Sequence, residues 1–537
     1  MPFRLLSCVL AAFAVACLAV FYLSGHDLRI GLLHADALYL PTLFDDLHHG
    51  GRLADWYLTP APYYFPDFPL YLAAYWLGPD AYHQIAVFAI LQCALLLGAA
   101  HALGRRLESA APLPCAALGV TLLAWLAASG QEPFVLMLSS ASHFGAFVGA
   151  LLLACAWLRF EEGGPRQAGP RQAGPGQAGP RQAGPRQAGP GQAGPREAGS
   201  RRALWIACML AFLVTLSDSL FLLQAVLPLA CAVGMRLLRE RDYLAGRRRR
   251  IALPLTLLGA AVLGHLSYQL LVMNRTRYKA RMDLHHVAAN LHDLHVIALR
   301  LWDALPLFVL GWLAFAAFAL ACALRLASGR TPFGLPRRLA WLLVFWLVSV
   351  AGAFAVSLLV YNIPVAARYF IPAACWPVVL APLVASCLLR GRAPAAILGA
   401  TLACALGIGI ATLQQWRAHP LQDAYYSADM ACIDRALDGM DLHHGIAQYW
   451  DAKTFQRFSR RGITLAQYDD TLTESRWITS KRYFRPAYDF ALVGPKGPSP
   501  YNIPEQKLAA LNGAPAARAA CGGYTVLLYG QDALKVR

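Results

Sequence analysis

The chain has 537 residues, of which 58% are hydrophobic and only 14% charged, and its mean hydropathy is +0.44. A soluble chain of this length does not carry that balance, whereas a polytopic membrane protein does. The formal charge of +17 invites a nucleic-acid reading, but much of it lies in loops between apolar runs, where it sets membrane topology instead; nucleic acid is not expected as a partner.

A spanning helix needs about 20 apolar residues. The first candidate, 5–24, follows Arg4. A cleaved signal peptide has the same charge and apolar core. This core is long, ends in Phe21-Tyr22-Leu23 and is followed by no small-x-small site, so it reads as an uncleaved anchor. Ten more runs are expected to span: 84–104, 111–130, 139–158, 203–217, 219–236, 251–272, 302–324, 339–361, 369–389 and 394–412. With the N-terminus inside, five loops become cytoplasmic. They carry Arg105 and Arg106; Arg201 and Arg202; Arg236, Arg239, Arg241 and Arg247 to Arg250; Arg325, Arg330, Arg337 and Arg338; and Arg390 and Arg392. All five agree with the excess of positive charge that cytoplasmic loops carry, and eleven spans then place the C-terminus outside. The stretch Arg275, Arg277, Lys279, Arg281 is the main exception, on the outer side.

Between the fourth and fifth runs, residues 164–198 repeat GPRQA or close variants with a period of five. Collagen needs Gly at every third position, so this is not collagen. A Pro in every unit forbids helix and sheet, and nothing apolar is present to form a core. Residues 161–202 are therefore expected to be a disordered cytoplasmic linker within a membrane domain spanning 1–412.

Residues 413–537 change character. Strand-like runs occur at 445–447, 462–465, 490–493 and 525–528, with helix-like patterns at 424–440, 452–460 and 505–512. That alternation predicts a small α/β domain on the outer face. The expected fold class is thus an α-helical polytopic membrane protein of about eleven spans with a C-terminal extracytoplasmic α/β domain. Eleven of the thirteen cysteines fall in the apolar runs and read as small packing residues. Cys432 and Cys521 are the exported pair, where a disulfide is possible.

Five residues stand out as candidates for chemistry. Asp36 lies just after the first span, in a loop rich in aromatics and Pro. A carboxylate there meets whatever is held at the membrane surface; the plain alternative is a solvated acid. Asp67, in Tyr64-Phe65-Pro66-Asp67-Phe68-Pro69, has a weaker case of the same kind. Phe68 to Leu77 are apolar enough to lie along the membrane, and Asp45, Asp46 and Asp55 fit the polar side of an amphipathic helix. Asp218 separates two apolar runs. The run from Arg202 to Asp218 covers about 24 Å of a core about 30 Å thick, which places the acid at depth. A carboxylate there costs about 2.5–3.5 kcal/mol on insertion scales, so it is expected to face a protein-lined or wet cavity, unless it merely breaks a helix. Arg368-Tyr369 opens the tenth span. Its guanidinium either anchors the helix in headgroups or presents a planar fork of donors to a phosphate.

Histidines are numerous: His48, His49, His285, His286, His292 and His295 have no tight spacing with an acid or Cys, which argues against a dedicated metal site. His143 and His265 lie in predicted spans and are placed to hydrogen-bond between helices. No phosphate-binding glycine loop, dinucleotide fingerprint or serine-hydrolase signature is present.

Three features together resemble the GT-C class of membrane glycosyltransferases. They are the acid of the first outer loop, Asp36 in HADALYL; the end of that loop, YYFPDFPLY; and the RYFIP run from Arg368 to Pro372 before a late span. Many members have Asp-Glu where this chain has Asp36-Ala37. The resemblance implies transfer of a sugar from a polyprenyl-phosphate carrier to an envelope glycan, lipid or protein at the outer face of a bacterial inner membrane. It implies Asp36, with Asp67 as second candidate, as general base, and Arg368, Tyr369 and Asp218 as substrate-binding residues. No cofactor is implied, and a divalent cation is left open. Two other readings remain at this stage: a transporter or flippase of envelope lipids, and an assembly protein acting through residues 413–537.

Overall fold

The computed structural model describes residues 2–25, 32–162, 195–240, 243, 247–272, 281–361, 365–495 and 502–536. The described chain is mostly helical, because long apolar runs satisfy their backbone groups internally only as helices. The first half contains α1 (Pro2–Leu23), α2 (Tyr39–His48), α3 (Asp67–Leu77), α4 (Ala81–Arg106), α5 (Pro112–Ala128), α6 (Phe144–Glu162) and α7 (Pro195–Ser217). A π-helical turn, Leu222–Val226, leads into α8 (Leu227–Arg239), followed by α9 (Arg247–Leu271), α10 (Val287–Ala304), α11 (Pro306–Ala327), α12 (Arg337–Leu359), α13 (Ile371–Leu389) and α14 (Ala393–Ala418). Ten of the described helices are long and apolar enough to cross a membrane. The remaining expected span is α5, with 17 residues. At about 25 Å it is short for the hydrocarbon core, and it is packed among α1, α4, α13 and α14.

Two expected boundaries shift. The run at 139–158 becomes helical only from Phe144. Before it, Ser139 Oγ and Ser142 Oγ bond each other at 2.6 Å, and Ala141 and His143 have φ of 62° and 65°. Serines bonding locally compete with helix formation, and left-handed residues end it. His143 therefore precedes a span rather than lying within one. The run at 302–324 starts instead at Pro306, which opens α11, because Pro fits the first turn of a helix and ends the preceding one. The amphipathic α10 had no counterpart in the hydropathy reading.

Most of the repeat lies outside the described residues. Its flanks do not: α6 runs to Glu162 and α7 starts at Pro195, so 161–162 and 195–202 are helical, contrary to the expected linker bounds. Glu162 pairs with Arg106 at 2.8 Å and Arg338 at 3.1 Å, and Glu161 with Arg236 at 2.6 Å. Three of the Arg-bearing loops therefore meet at one end of the bundle.

At the other end sit α2, α3 and the C-terminal domain. That domain contains α15 (Ala428–Ala436), β4 (His444–Ala447), α16 (Tyr449–Phe458), β5 (Thr464–Gln467), β7 (Phe490–Val493), α17 (Glu505–Asn512), β8 (Ala517–Cys521) and β9 (Tyr524–Leu528). Its sheet order is β5-β4-β7-β9-β8. The first three strands are parallel, while β9 runs antiparallel to β7 and β8. Strand β8 was not anticipated; it is largely exposed and lacks an alternating pattern. Cys432 and Cys521 are disulfide-bonded, with Cα atoms 5.4 Å apart, tying α15 to β8.

The domain is fastened to the first loop. Strand β1 (Trp56–Tyr57) pairs antiparallel with β6 (Thr479–Ser480). Asp45 pairs with Arg457. Asp46 accepts from Trp56 Nε1 at 2.8 Å and from Arg482 at 3.3 Å. The acids of α2 are thus fasteners. Two residues of β2 (Arg281–Met282) pair with β3 (Val360–Tyr361); Arg275, Arg277 and Lys279 lie outside the described residues.

Candidate functional site: a cavity between the bundle and the C-terminal domain

A turn follows the first helix. Leu38 N–H donates to His34 C=O at 3.0 Å, and Asp36 N–H donates to His34 Nδ1 at 3.2 Å. This places Asp36, a residue only 7% exposed, in the wall of a cavity of about 890 Å³. Arg368 comes from a 3-10 turn, Ala367–Phe370, that opens the path into α13. Its Nη1 donates to Asp36 Oδ2 at 2.9 Å. Its Nε is buried without a partner among the described residues. The other carboxylate oxygen, Oδ1, accepts from the hydroxyl of Tyr449 at the start of α16.

The second acid in the wall is Asp218, 3% exposed. It stands between the end of α7 and the π-helical turn, and its Oδ1 accepts from Leu220 N–H at 3.0 Å. His143 Nδ1 donates to its Oδ2 at 2.6 Å. The imidazole sits between Tyr63 and Tyr369, with ring centres 5.5 and 5.7 Å away. The left-handed backbone of His143 aims its ring at Asp218, the kind of strain that clusters at functional sites. The π-helical turn carries Gln224 into the wall, where Nε2 donates to Tyr369 C=O at 3.3 Å and Oε1 has no partner among the described residues. Single π turns are frequent at functional sites. Another part of the lining is apolar, formed by Gly352, Ala353 and Val356 of α12 with Val360 and Val365.

Four of the five sequence candidates, Asp36, Asp218, Arg368 and Tyr369, thus meet in one cavity. Asp67 does not join them. It opens α3, is 1% exposed and does not line the cavity. Both its oxygens lack partners among the described residues. It is pressed against α6, where a Cβ on Gly145 would come within 2.9 Å of its Oδ2. Burial, reinforced by the charge of Asp218, pushes its carboxyl up to about 8.

Burial alone would raise the Asp36 carboxyl. The guanidinium of Arg368, the Tyr449 hydrogen bond and His34 outweigh that and hold it below the usual carboxylate range. Burial depresses His34. Lys453, one turn on from Tyr449 along α16, lies with its nitrogen 4.2 Å from the Tyr449 ring centre, and burial pulls it down to about 7. Sequence reading missed Tyr449, Lys453, His34 and the His143 pairing. Tyr449 and Lys453 lie more than 400 residues from Asp36, and no local motif marks them.

A divalent cation finds no group of three His, Cys, Asp or Glu side chains among the described residues. Asp36 has a guanidinium where such a site needs another acid. No family model matches the chain, and no curated protein matches it.

Proposed function

We propose that this chain is an inverting glycosyltransferase of the GT-C kind, acting on a polyprenyl-phosphate-linked sugar at the outer face of a bacterial inner membrane. The observation that carries the reading is the meeting of Asp36 and Arg368, 332 residues apart in sequence, at 2.9 Å in the wall of one cavity. A carboxylate to take a proton and a guanidinium to take a phosphate are the two groups such a transfer needs. The apolar wall of α12 suits the isoprenoid chain. The polar floor of Asp218, His143 and Gln224 suits sugar hydroxyls.

In the proposed step the acceptor hydroxyl oxygen attacks the anomeric carbon. Its proton passes to Asp36. The bond from the anomeric carbon to the phosphate oxygen breaks, and Arg368 takes up the charge that grows on the phosphate. One displacement inverts the anomeric centre. While paired with Arg368, Asp36 is a weak base. A donor phosphate competing for the guanidinium releases the carboxylate, so that the base is freed only beside a bound donor.

The His143–Asp218 pair favours a second reading, a transporter of envelope lipids, because a buried imidazole–carboxylate pair in a cavity is able to couple proton movement to transport. The two readings part on genetics. Cells lacking the gene product should lose one sugar from an envelope glycan, lipid or protein, and accumulate the matching lipid-linked sugar. Under the enzyme reading Asp36→Asn reproduces that loss and Asp218→Asn is milder. The reverse order would favour transport.

A further inference from the structure

Tyr449 sits where the C-terminal domain is best placed to act. It opens α16 directly after β4, at the carboxyl end of a parallel strand flanked by two others. Open α/β sheets present their ligand-binding residues at that edge. From there its hydroxyl reaches Asp36 Oδ1, the oxygen that Arg368 does not hold. The placement is fixed by several contacts: the β1–β6 ladder, the Asp45–Arg457 and Asp46–Arg482 pairs, and Thr454 Oγ1 donating to Leu33 C=O at 3.4 Å. The same domain supplies Trp477 and Ile478 to the cavity wall.

We propose that Tyr449 is a positioning residue. Its hydroxyl fixes the Asp36 carboxylate in the cavity wall, and through it the C-terminal domain is a working part of the site rather than an appended module. This rests on the reading of Asp36 as the proton acceptor. With one oxygen held by Tyr449, the carboxylate cannot rotate when Arg368 turns to a phosphate, and Oδ2 is left facing the cavity. The charged or titratable groups that face Asp36 are Arg368, His34, Lys453, Tyr63 and Tyr449.

The test uses the full-length protein in detergent and needs no donor. Dicyclohexylcarbodiimide, an apolar reagent, modifies protonated carboxyls, and mass spectrometry reads its attachment to Asp36 as a function of pH. Losing a hydrogen bond to the charged form favours protonation. Tyr449→Phe should therefore move the midpoint of Asp36 labelling up by about one pH unit. With polyprenyl-phosphate hexose as donor, kcat should fall about tenfold with KM for the donor little changed, and the acidic limb of the rate profile should move in the same direction. Arg518→Ala removes an exposed pair with Glu505 in the same domain, keeps the docking contacts and the hydroxyl, and should leave the labelling midpoint in place. An unmoved midpoint in Tyr449→Phe would overturn the proposal, as would an equal rise in Arg518→Ala. If the midpoint moves but the unmutated protein transfers no sugar, the positioning contact stands and the glycosyltransferase reading falls.

Discussion

Asp36 and Arg368 hold one another, and under the proposed function a donor phosphate competes with Asp36 for the guanidinium. Asp36→Asn removes the negative partner of the guanidinium while keeping its shape. Turnover should fall by about 10²–10⁴-fold, the usual worth of a general base. Affinity for a short lipid phosphate such as farnesyl phosphate should rise several-fold, because the phosphate no longer displaces a carboxylate. Fluorescence titration of the purified variants reads this directly. Arg368→Ala should lose that binding. Arg368→Lys should keep part of it, since it retains charge but not the bidentate fork. A fall in farnesyl phosphate affinity in Asp36→Asn would remove the competition argument. Asp67 makes a separate prediction at this scale. Its proton stays on the folded chain up to about pH 8, whereas the ordinary carboxyl value is 3.8. The unfolded chain then binds fewer protons, so this residue's contribution to stability falls as pH rises through that window. Asp67→Asn should therefore melt a few degrees above the unmutated protein at pH 8, and the gap should shrink toward pH 4. An unchanged gap would mean that Asp67 is ionised in the fold.

Among the elements, the break after α7 is the one that builds the cavity. Ser217, Asp218 and Ser219 interrupt the apolar run, Asp218 caps Leu220 N–H, and the π-helical turn that follows turns Gln224 inward. The burial of Asp218 was legible in the sequence, because a carboxylate between two apolar runs was expected to face a protein-lined cavity. Its partner was not. His143 reaches it through a left-handed turn set by local serine hydrogen bonds, and hydropathy carries no trace of such a turn. Strands β4, β5, β7 and β9 were legible as apolar runs between helical patterns. The exposed β8 was not, since its place in the sheet comes from pairing with β9. The disulfide that fixes β8 to α15 closes a separation of 89 residues. In the chain-entropy model a loop of that size contributes about 4–5 kcal/mol. Cys432→Ser should accordingly lower the denaturant midpoint of the C-terminal domain, followed by its near-ultraviolet dichroism. An unchanged midpoint would show that the sheet is held by its core alone.

For the whole molecule, the membrane part was legible because spanning depends on composition and length, both of which a sequence states openly. The site was legible only in its membrane half. Asp36, Asp218 and Arg368 stand out against apolar surroundings, whereas Tyr449 and Lys453 lie in a polar domain where nothing distinguishes them until folding brings them to Asp36. The gathering of Arg106, Arg236 and Arg338 at one end of the bundle, opposite the cavity, suits an alternating topology with that end in the cytoplasm. Reporter fusions after Arg106, Arg250 and Arg338 should read cytoplasmic, and a fusion after Arg537 external; a cytoplasmic C-terminus would contradict the eleven-span arrangement. The most direct test of the proposed glycosyltransferase activity is sugar transfer by the purified chain. It would be supplied with radiolabelled polyprenyl-phosphate hexoses and envelope extract as acceptor, beside its Asp36→Asn variant. Transfer is expected from at least one donor, with an inverted anomeric centre, and at a rate lower by about 10²-fold or more in the variant. Transfer at equal rates by both proteins, or from no lipid-phosphate donor by either, would contradict it.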